Sequence, residues 1–389
     1  MRYYIPKFAH KQDQIPKEVY RLPIPTKILT VLEQAGFEAY YVGGCVRDTL
    51  LQRPNHDWDI TTSAHPEQVM ALFEKVVPTG LKHGTVTVFL DDEESEVTTF
   101  RKDGQYHDGR RPESVEFIGS LREDLIRRDF TVNAIAMDDR GTLYDYVGGR
   151  EDLAKKIIRC VGVAETRFSE DALRMLRAFR FSAQLGFMIE PGTRWAIGYC
   201  APLCSSLSVE RVRDEVEKTL YSPRPRVLER MLSSGILAGV GLERSADLHW
   251  LERLPADLSR WAALRVLLPE VDPAALRLPA KQSHLIVQAA EAYRPDLDLQ
   301  QLKKIVAEYD WQVAELVAVM AEKHELFDAV RESGDCVRIS DLAIGGKDLD
   351  WLRGEEIGQT LHRLLSHVLL HPEDNRKEVL LSLAKTPAR

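Results

Sequence analysis

The chain of 389 residues is 44% apolar and carries a formal net charge of −8. That length exceeds one ordinary hydrophobic core, so two or more domains are expected, and no run approaches the roughly 18 to 20 apolar residues that a membrane span needs. The acidic balance counts mildly against a nucleic-acid binder, although Lys and Arg outnumber Asp and Glu by 15 to 11 between Arg150 and Arg230, which permits a local basic groove.

Residues 1–22 show no periodicity and read as an extension, without the apolar stretch of a secretory signal. From Lys27 to Ala35 apolar residues recur at helical spacing, with Gly36 placed as a C-cap. A short strand at 39–42 leads into Gly43-Gly44, then a helical segment starting Val46-Arg47-Asp48. A second strand carries Asp57-Trp58-Asp59. Period-two alternation puts both aspartates on one face and Trp58 on the other. The double glycine is either a plain turn or a phosphate cradle at a helix start, and its closeness to Asp57 and Asp59 favours the cradle.

A helix over 66–75 with Pro66 at N1 is expected next. Residues 84–90 and 96–100 then read as a hairpin turning at Asp91-Asp92, with Glu96 opening its second strand as a possible third carboxylate. The polar stretch 101–113 reads as a long functional loop. A charged helix start follows at 121–129. Phe130, Val132, Ala134 and Ile135 are core candidates, with Arg128, Asp129 and Asn133 at the core's edge.

Beyond about residue 155 helical periodicity takes over. A helix capped by Ser169, with Glu170 and Asp171 in its first turn, gathers Ala172, Met175, Leu176, Phe179 and Ala183 into one stripe. Arg174, Arg177 and Arg180 lie opposite. Glu170 precedes Arg174 at i,i+4, the favourable ion-pair order, and can hold its fork in one pose. Another capped start is expected at Ser208-Val209-Glu210-Arg211. Trp250, Trp261, Trp311 and Trp351 read as packing anchors, and 344–349 as a late turn. The five cysteines are odd in number and scattered, and no second pair completes a zinc site with Cys200 and Cys204. Plain thiols in a reducing cytoplasm are expected.

Five blocks in order resemble the class II tRNA nucleotidyltransferase and bacterial poly(A) polymerase family, most closely its CCA-adding members. They are Gly43-Gly44 through Asp57-Trp58-Asp59, Arg127 to Ala134, Asp145 to Gly149, Glu170 to Arg174, and Ser208 to Arg211. The resemblance is dense from about 25 to 220 and implies an α+β architecture. An α/β nucleotidyltransferase head of polymerase-β-like type with a mixed sheet (23–155) would precede an all-α neck that recognises the base (156–222). A helical body (223–335) and a tRNA-binding helical tail (336–389) would follow.

The resemblance also implies roles. Asp57 and Asp59 would hold two magnesium ions, with Glu96 as the third acidic member of the catalytic group. Gly43, Gly44 and Arg47 would meet the triphosphate. Arg128, Asp129 and Asn133 would fix sugar and phosphate, with Arg177 and Arg180 completing the phosphate contacts. Asp171 and Arg174, supported by Glu170, would select CTP and ATP by edge hydrogen bonds: a carboxylate accepts from the exocyclic amine of cytosine or adenine, and a guanidinium donates to ring acceptors. Loop 101–113 corresponds to an element kept by members that add the terminal adenosine. The expected partner is tRNA, gripped at its 3′ end and acceptor arm, with no membrane association. Gln52 departs from the family, which usually has glycine there. Two alternatives stand beside CCA addition: an enzyme adding only A, either the last tRNA residue or a poly(A) tail, of which Lys82-His83-Gly84-Thr85 leans against the poly(A) form, and a non-catalytic RNA-binding protein, which the intact acidic residues lean against.

Overall fold

The computed structural model describes residues 27–55, 57–103, 115–242 and 244–386. The expected extension 1–22, His56 and the 104–113 part of the expected loop lie outside the described residues. The chain divides into two compact units. The first holds everything to Thr219 and the segment beginning at Arg230; the second holds Leu220–Glu229 and everything from Arg244.

In the first unit α1 (Lys27–Gln34) buries Ile28, Leu29 and Leu32. Gly36, at φ +88°, ends it: the Gly36 N–H donates to Glu33 O and the Phe37 N–H to Leu32 O, the paired bonds of a left-handed C-cap. β1 (Ala39–Val42), α2 (Gly44–Leu50), β2 (Trp58–Thr62) and α3 (Pro66–Leu72) follow, then β3 (Lys75–Gly80), β4 (Thr85–Leu90) and β5 (Glu93–Thr99). A small hairpin of β6 (Arg101–Asp103) and β7 (Val115–Phe117) precedes α4 (Leu121–Ile126). β8 (Ile135–Met137), β9 (Leu143–Asp145) and α5 (Gly149–Lys155) close this part.

Seven strands form one mixed sheet in the order β3-β4-β5-β2-β1-β8-β9. β2 and β5 run parallel, while β1 is antiparallel to both of its neighbours. Val42, Phe100, Leu121, Leu125 and Ala136 make the core that pins α4 to the sheet. Tyr41 is fully buried and takes the Trp58 ring edge-on at 5.0 Å, so Trp58 turns away from the aspartates as alternation requires.

Several boundaries differ from the sequence reading. α2 begins at Gly44, two residues early, because Gly43 itself makes the turn. α3 stops at Leu72, and Lys75 opens a strand that the sequence did not disclose, since β3 is an edge strand with an exposed, weakly alternating pattern. β5 starts at Glu93, so Glu96 lies in mid-strand; Asp91, at φ +54°, makes the turn. Arg101–Asp103 is strand, not loop.

The rest of the first unit is helical, with one short parallel pairing of β10 (Ile157–Ile158) and β11 (Met188–Ile189). Its helices are α6 (Ala164–Glu170), α7 (Leu173–Leu185), α8 (Pro191–Cys200) and α9 (Val209–Leu220, whose last residue falls in the second unit), together with the Arg230–Ser233 part of α10 (Val227–Ser233). The helix expected to start at Ser169 is two helices: Ser169 lies in the last turn of α6, and the break falls at Asp171, at φ −145° and ψ 105°. The expected apolar stripe from Ala172 to Ala183 is buried.

The second unit is helical: α11 (Leu258–Leu267), α12 (Ala280–Ala292), α13 (Leu299–Glu308), α14 (Trp311–Met320), α15 (His324–Glu332), α16 (Glu355–Leu370) and α17 (Lys377–Lys385). Trp261 is fully buried, whereas Trp351 is exposed under the Lys385 ammonium and is no packing anchor. The buried Arg260 guanidinium donates to the carbonyls of Leu220, Ser222 and Leu254, capping chain ends rather than pairing with a carboxylate. All five cysteines are buried and free. No helix among the described residues is long and apolar enough to cross a membrane.

Candidate active site

The first unit gathers the singled-out residues in three adjoining groups. In the first, Asp59 and Glu96 are direct partners across the β2–β5 pairing, and Asp57 stands one residue before β2, exposed to solvent. Burial pushes the Asp59 carboxyl up, the Glu96 charge adds to this, and Asp57 contributes more; Arg128 opposes them, and the balance lies at about 6. Gly43, at φ +81° and ψ −130°, turns the chain beneath this cluster. A Cβ there would make ordinary contact with Arg128 Nη1 at 3.4 Å and Asp59 Oδ2 at 3.9 Å, so it is the left-handed backbone of the turn that favours glycine. The Cys45 thiol ties the turn to Val42 O at 3.2 Å.

Arg128 is aimed by a residue that the sequence reading passed over. Asp124, wholly buried, accepts from Arg128 Nη2 at 3.1 Å, from Arg127 Nε and Nη2 at 2.9 and 2.7 Å, and from the Thr61 hydroxyl at 3.3 Å. Its i,i+3 and i,i+4 spacing from the two arginines on one helical turn was the available signal.

The second group joins α2 to α7. Arg47 is buried; its Nη1 donates to Asn133 Oδ1 at 2.6 Å, and its Nε and Nη2 grip Asp48 at 3.1 and 2.8 Å. Asn133 donates to Asp129 Oδ1 at 3.2 Å, and Arg177 donates to Asp129 Oδ2 at 2.8 Å from Nε. Burial alone would raise the Asp129 carboxyl, but the Arg177 charge and hydrogen bonds from Arg177, Asn133 and the Phe130 N–H outweigh it and hold it at about 2. Arg180 forms a buried ion pair with Glu215 at 2.9 Å. Beneath these cations lies Phe181, with the guanidinium carbons of Arg180, Arg177 and Arg47 at 4.4, 5.2 and 5.3 Å from its ring centroid. Neither Phe181 nor Glu215 carried a sequence signal.

The third group surrounds the α6–α7 break. Glu170 Oε2 accepts from Arg174 Nη1 at 2.6 Å, the expected pair, and Glu170 also holds Arg167 Nη1. Asp171 accepts from the Leu173 N–H at 3.0 Å and from Arg211 Nη2 at 3.2 and 3.0 Å. Arg211 lay within a recognised block but had no role assigned to it. The other double glycine is structural: Asp145 accepts from the N–H groups of Val147, Gly148, Gly149 and Arg150. A Cβ at Gly149 would fall 2.1 Å from Thr131 O.

Three guanidinium nitrogens in these groups, Arg128 Nε, Arg180 Nε and Arg211 Nη1, are buried and make no hydrogen bond among the described residues, although Arg180 Nε faces Glu215 Oε2 as an ion pair. A buried donor left so costs about 1–3 kcal/mol, which an acceptor from a bound ligand would recover. The three carboxylates offer only hard oxygen donors, and the raised Asp59 marks negative charge without a sufficient counter-charge. Both features fit magnesium. Among the described residues no three His, Cys, Asp or Glu side chains are already gathered to hold a metal ion.

Residues 39–159 match the family described as the poly A polymerase head domain, and residues 186–243 match one described as a probable RNA and SrmB-binding site of polymerase A. The chain is 52% identical over 245 residues to the CCA-adding enzyme of Geobacillus stearothermophilus, a match spanning 61% of each protein. It is 36% identical to that of Enterococcus faecalis, over 92% of this chain and 94% of the relative. The crystal structure of Bacillus stearothermophilus CCA-adding enzyme in complex with CTP superposes with a TM-score of 0.78 at 38% identity, covering 92% of this chain and 95% of that one. The mixed-sheet head, the carboxylate pair and these likenesses agree: the chain belongs to the poly(A) polymerase and CCA-adding enzyme family of nucleotidyltransferases.

Proposed function

We propose that this protein completes the 3′ end of tRNA, adding C, C and A in turn from CTP and ATP without a nucleic-acid template. The observation that carries the reading is the Asp59–Glu96 pair with Asp57 beside it, next to unsatisfied arginine donors. It is supported by the relatives named as CCA-adding enzymes, one of them solved with CTP.

Magnesium bound by Asp57 and Asp59 would supply the positive charge that activates the attacking 3′ hydroxyl and stabilises the departing pyrophosphate. Glu96 raises the negative charge facing that position. Gly43 and Gly44 leave space for the triphosphate, and Arg128, held by Asp124, brings its Nη1 to the Gly43 turn. Arg47, Arg177 and Arg180 add positive potential, while Asn133 and Asp129 are placed to bond the sugar. Asp171 and Arg174 read the base, and Arg211 and Glu170 hold them in register. We assign 23–155 to catalysis and 156–222 to base recognition. RNA contacts are placed in the 186–243 stretch and in the helical remainder.

The test is incubation of purified protein and magnesium with a tRNA transcript ending before C74, supplied with one nucleoside triphosphate at a time. CTP alone should be incorporated, and ATP only after CTP. Incorporation of A alone on that transcript points to an A-adding enzyme, and no incorporation of any nucleotide points to a binding protein.

A further inference from the structure

The Phe181 ring holds a place that packing alone does not explain. It is 6% exposed and meets Phe130 edge-to-face, at 82° and a centroid separation of 5.8 Å. At 100° per residue it falls within about 20° of Arg174 around α7, with Arg177 about 60° away, so the ring shares the face of the helix that bears those two arginines. Three guanidiniums gather over it, Arg180 and Arg177 of α7 and Arg47 of α2, with their carbons 4.4, 5.2 and 5.3 Å from its centroid. Each cation has its own carboxylate: Glu215 for Arg180, Asp129 for Arg177 and Asp48 for Arg47. The ring is what all three share.

Guanidiniums this close repel one another. Burial lowers the Arg180 guanidinium below its usual range; Glu215 and Asp129 oppose this, and the Arg177 and Arg47 charges add to it. The Glu215 contact is poorly aligned, since Arg180 Nε and Glu215 Oε2 stand 2.9 Å apart without a hydrogen bond. A carboxylate draws cations together only by adding negative charge, which repels an incoming triphosphate. An aromatic face attracts each guanidinium through its quadrupole and adds no net charge. We propose that Phe181 is a positioning residue for the nucleoside triphosphate: its π face gathers Arg47, Arg177 and Arg180 into one phosphate-binding cluster, which an apolar side chain without a ring would let spread. This deepens the reading that the site takes CTP and ATP and rests on it.

The experiment replaces Phe181 in the full chain by phenylalanine carrying one, two or three ring fluorines, which keep its shape closely and drain its quadrupole stepwise, and adds Phe181→Leu. Equilibrium dialysis with CTP and magnesium should show log Kd rising in step with fluorine number, by about tenfold in Kd across the series, with Phe181→Leu at the weak end. In turnover on the shortened tRNA transcript the KM for CTP should rise in parallel, while kcat and the KM for tRNA do not follow fluorine number. A CTP Kd that is independent of fluorine number overturns the proposal, and a loss of Tm or kcat in Phe181→Leu would then mark the ring as core packing only. A wild-type chain that binds CTP with this dependence on fluorination and incorporates no nucleotide would instead refute nucleotidyl transfer and leave the role of Phe181 standing. No CTP binding by the wild-type chain overturns both.

Discussion

Asp59 and Glu96 sit opposite each other in the parallel β2–β5 ladder, although 37 positions separate them in the chain. Cross-strand neighbours of like charge repel, and here burial compounds the repulsion on Asp59. Such an arrangement is destabilising in isolation, and the charge of a divalent cation held by Asp57 and Asp59 would offset it. Asp59→Asn should therefore abolish magnesium binding in a calorimetric titration and abolish incorporation. Glu96→Gln should weaken magnesium affinity by about 10- to 100-fold, the usual effect of a supporting carboxylate. Equal affinity in all three proteins would remove these carboxylates from the metal site.

Base choice should depend on Arg211 as well as on Asp171 and Arg174. Arg211 supplies two of the hydrogen bonds that fix the Asp171 carboxylate. Arg211→Met should reduce discrimination between CTP and UTP by about tenfold, the worth of one charge-assisted hydrogen bond of about 1.5 kcal/mol. Arg174→Ala should likewise relax preference more than it slows chemistry. Competition kinetics with paired nucleotides reads this directly. A uniform loss for all four nucleotides would argue against a templating role.

Asp129 should make stability depend on acid pH. Its carboxyl falls from 3.8 to about 2 in the folded chain, so its ionised form is favoured by folding. The contribution is complete above pH 3.8, declines as pH falls towards 2 and is absent below both values. It amounts to roughly 2 kcal/mol. Urea denaturation of wild type and Asp129→Asn should therefore differ more at pH 6 than at pH 2, by about that amount.

Two backbone positions give opposite expectations. Gln52 occupies φ +55°, a conformation that costs a side chain about 1 kcal/mol and that glycine adopts freely. Gln52→Gly should leave stability unchanged or raise it by up to about 1 kcal/mol, the gain being offset by the freer unfolded chain. At Gly149 a Cβ meets the Thr131 carbonyl at 2.1 Å, so Gly149→Ala should cost about 3 kcal/mol or more in thermal unfolding.

The strand carrying Asp59, the double glycine and the Glu170–Arg174 pair were legible because each depends on local periodicity or spacing. What was hidden depends on contacts between distant segments. The break at Asp171 reverses the expected helix start because the Leu173 N–H and Arg211 both bind that carboxylate, and Arg211 lies 40 residues away. Phe181 beneath three arginines and Glu215 opposite Arg180 arise only when α2, α7 and α9 pack together. β3 went unread because an exposed edge strand lacks the alternation that marks a strand with one buried face. Trp351 misled because tryptophan is usually buried, and here it is 41% exposed with the Lys385 ammonium over its ring.

The most direct measurement is the intact mass of a tRNA transcript lacking its last three nucleotides, after reaction with all four nucleoside triphosphates and magnesium. With the wild-type chain the mass should rise by two cytidylates and one adenylate and then stop, and with Asp59→Asn it should not change. Addition of adenylate alone, admixture of uridylate or guanylate, or an undiminished product with Asp59→Asn would contradict CCA addition at this site.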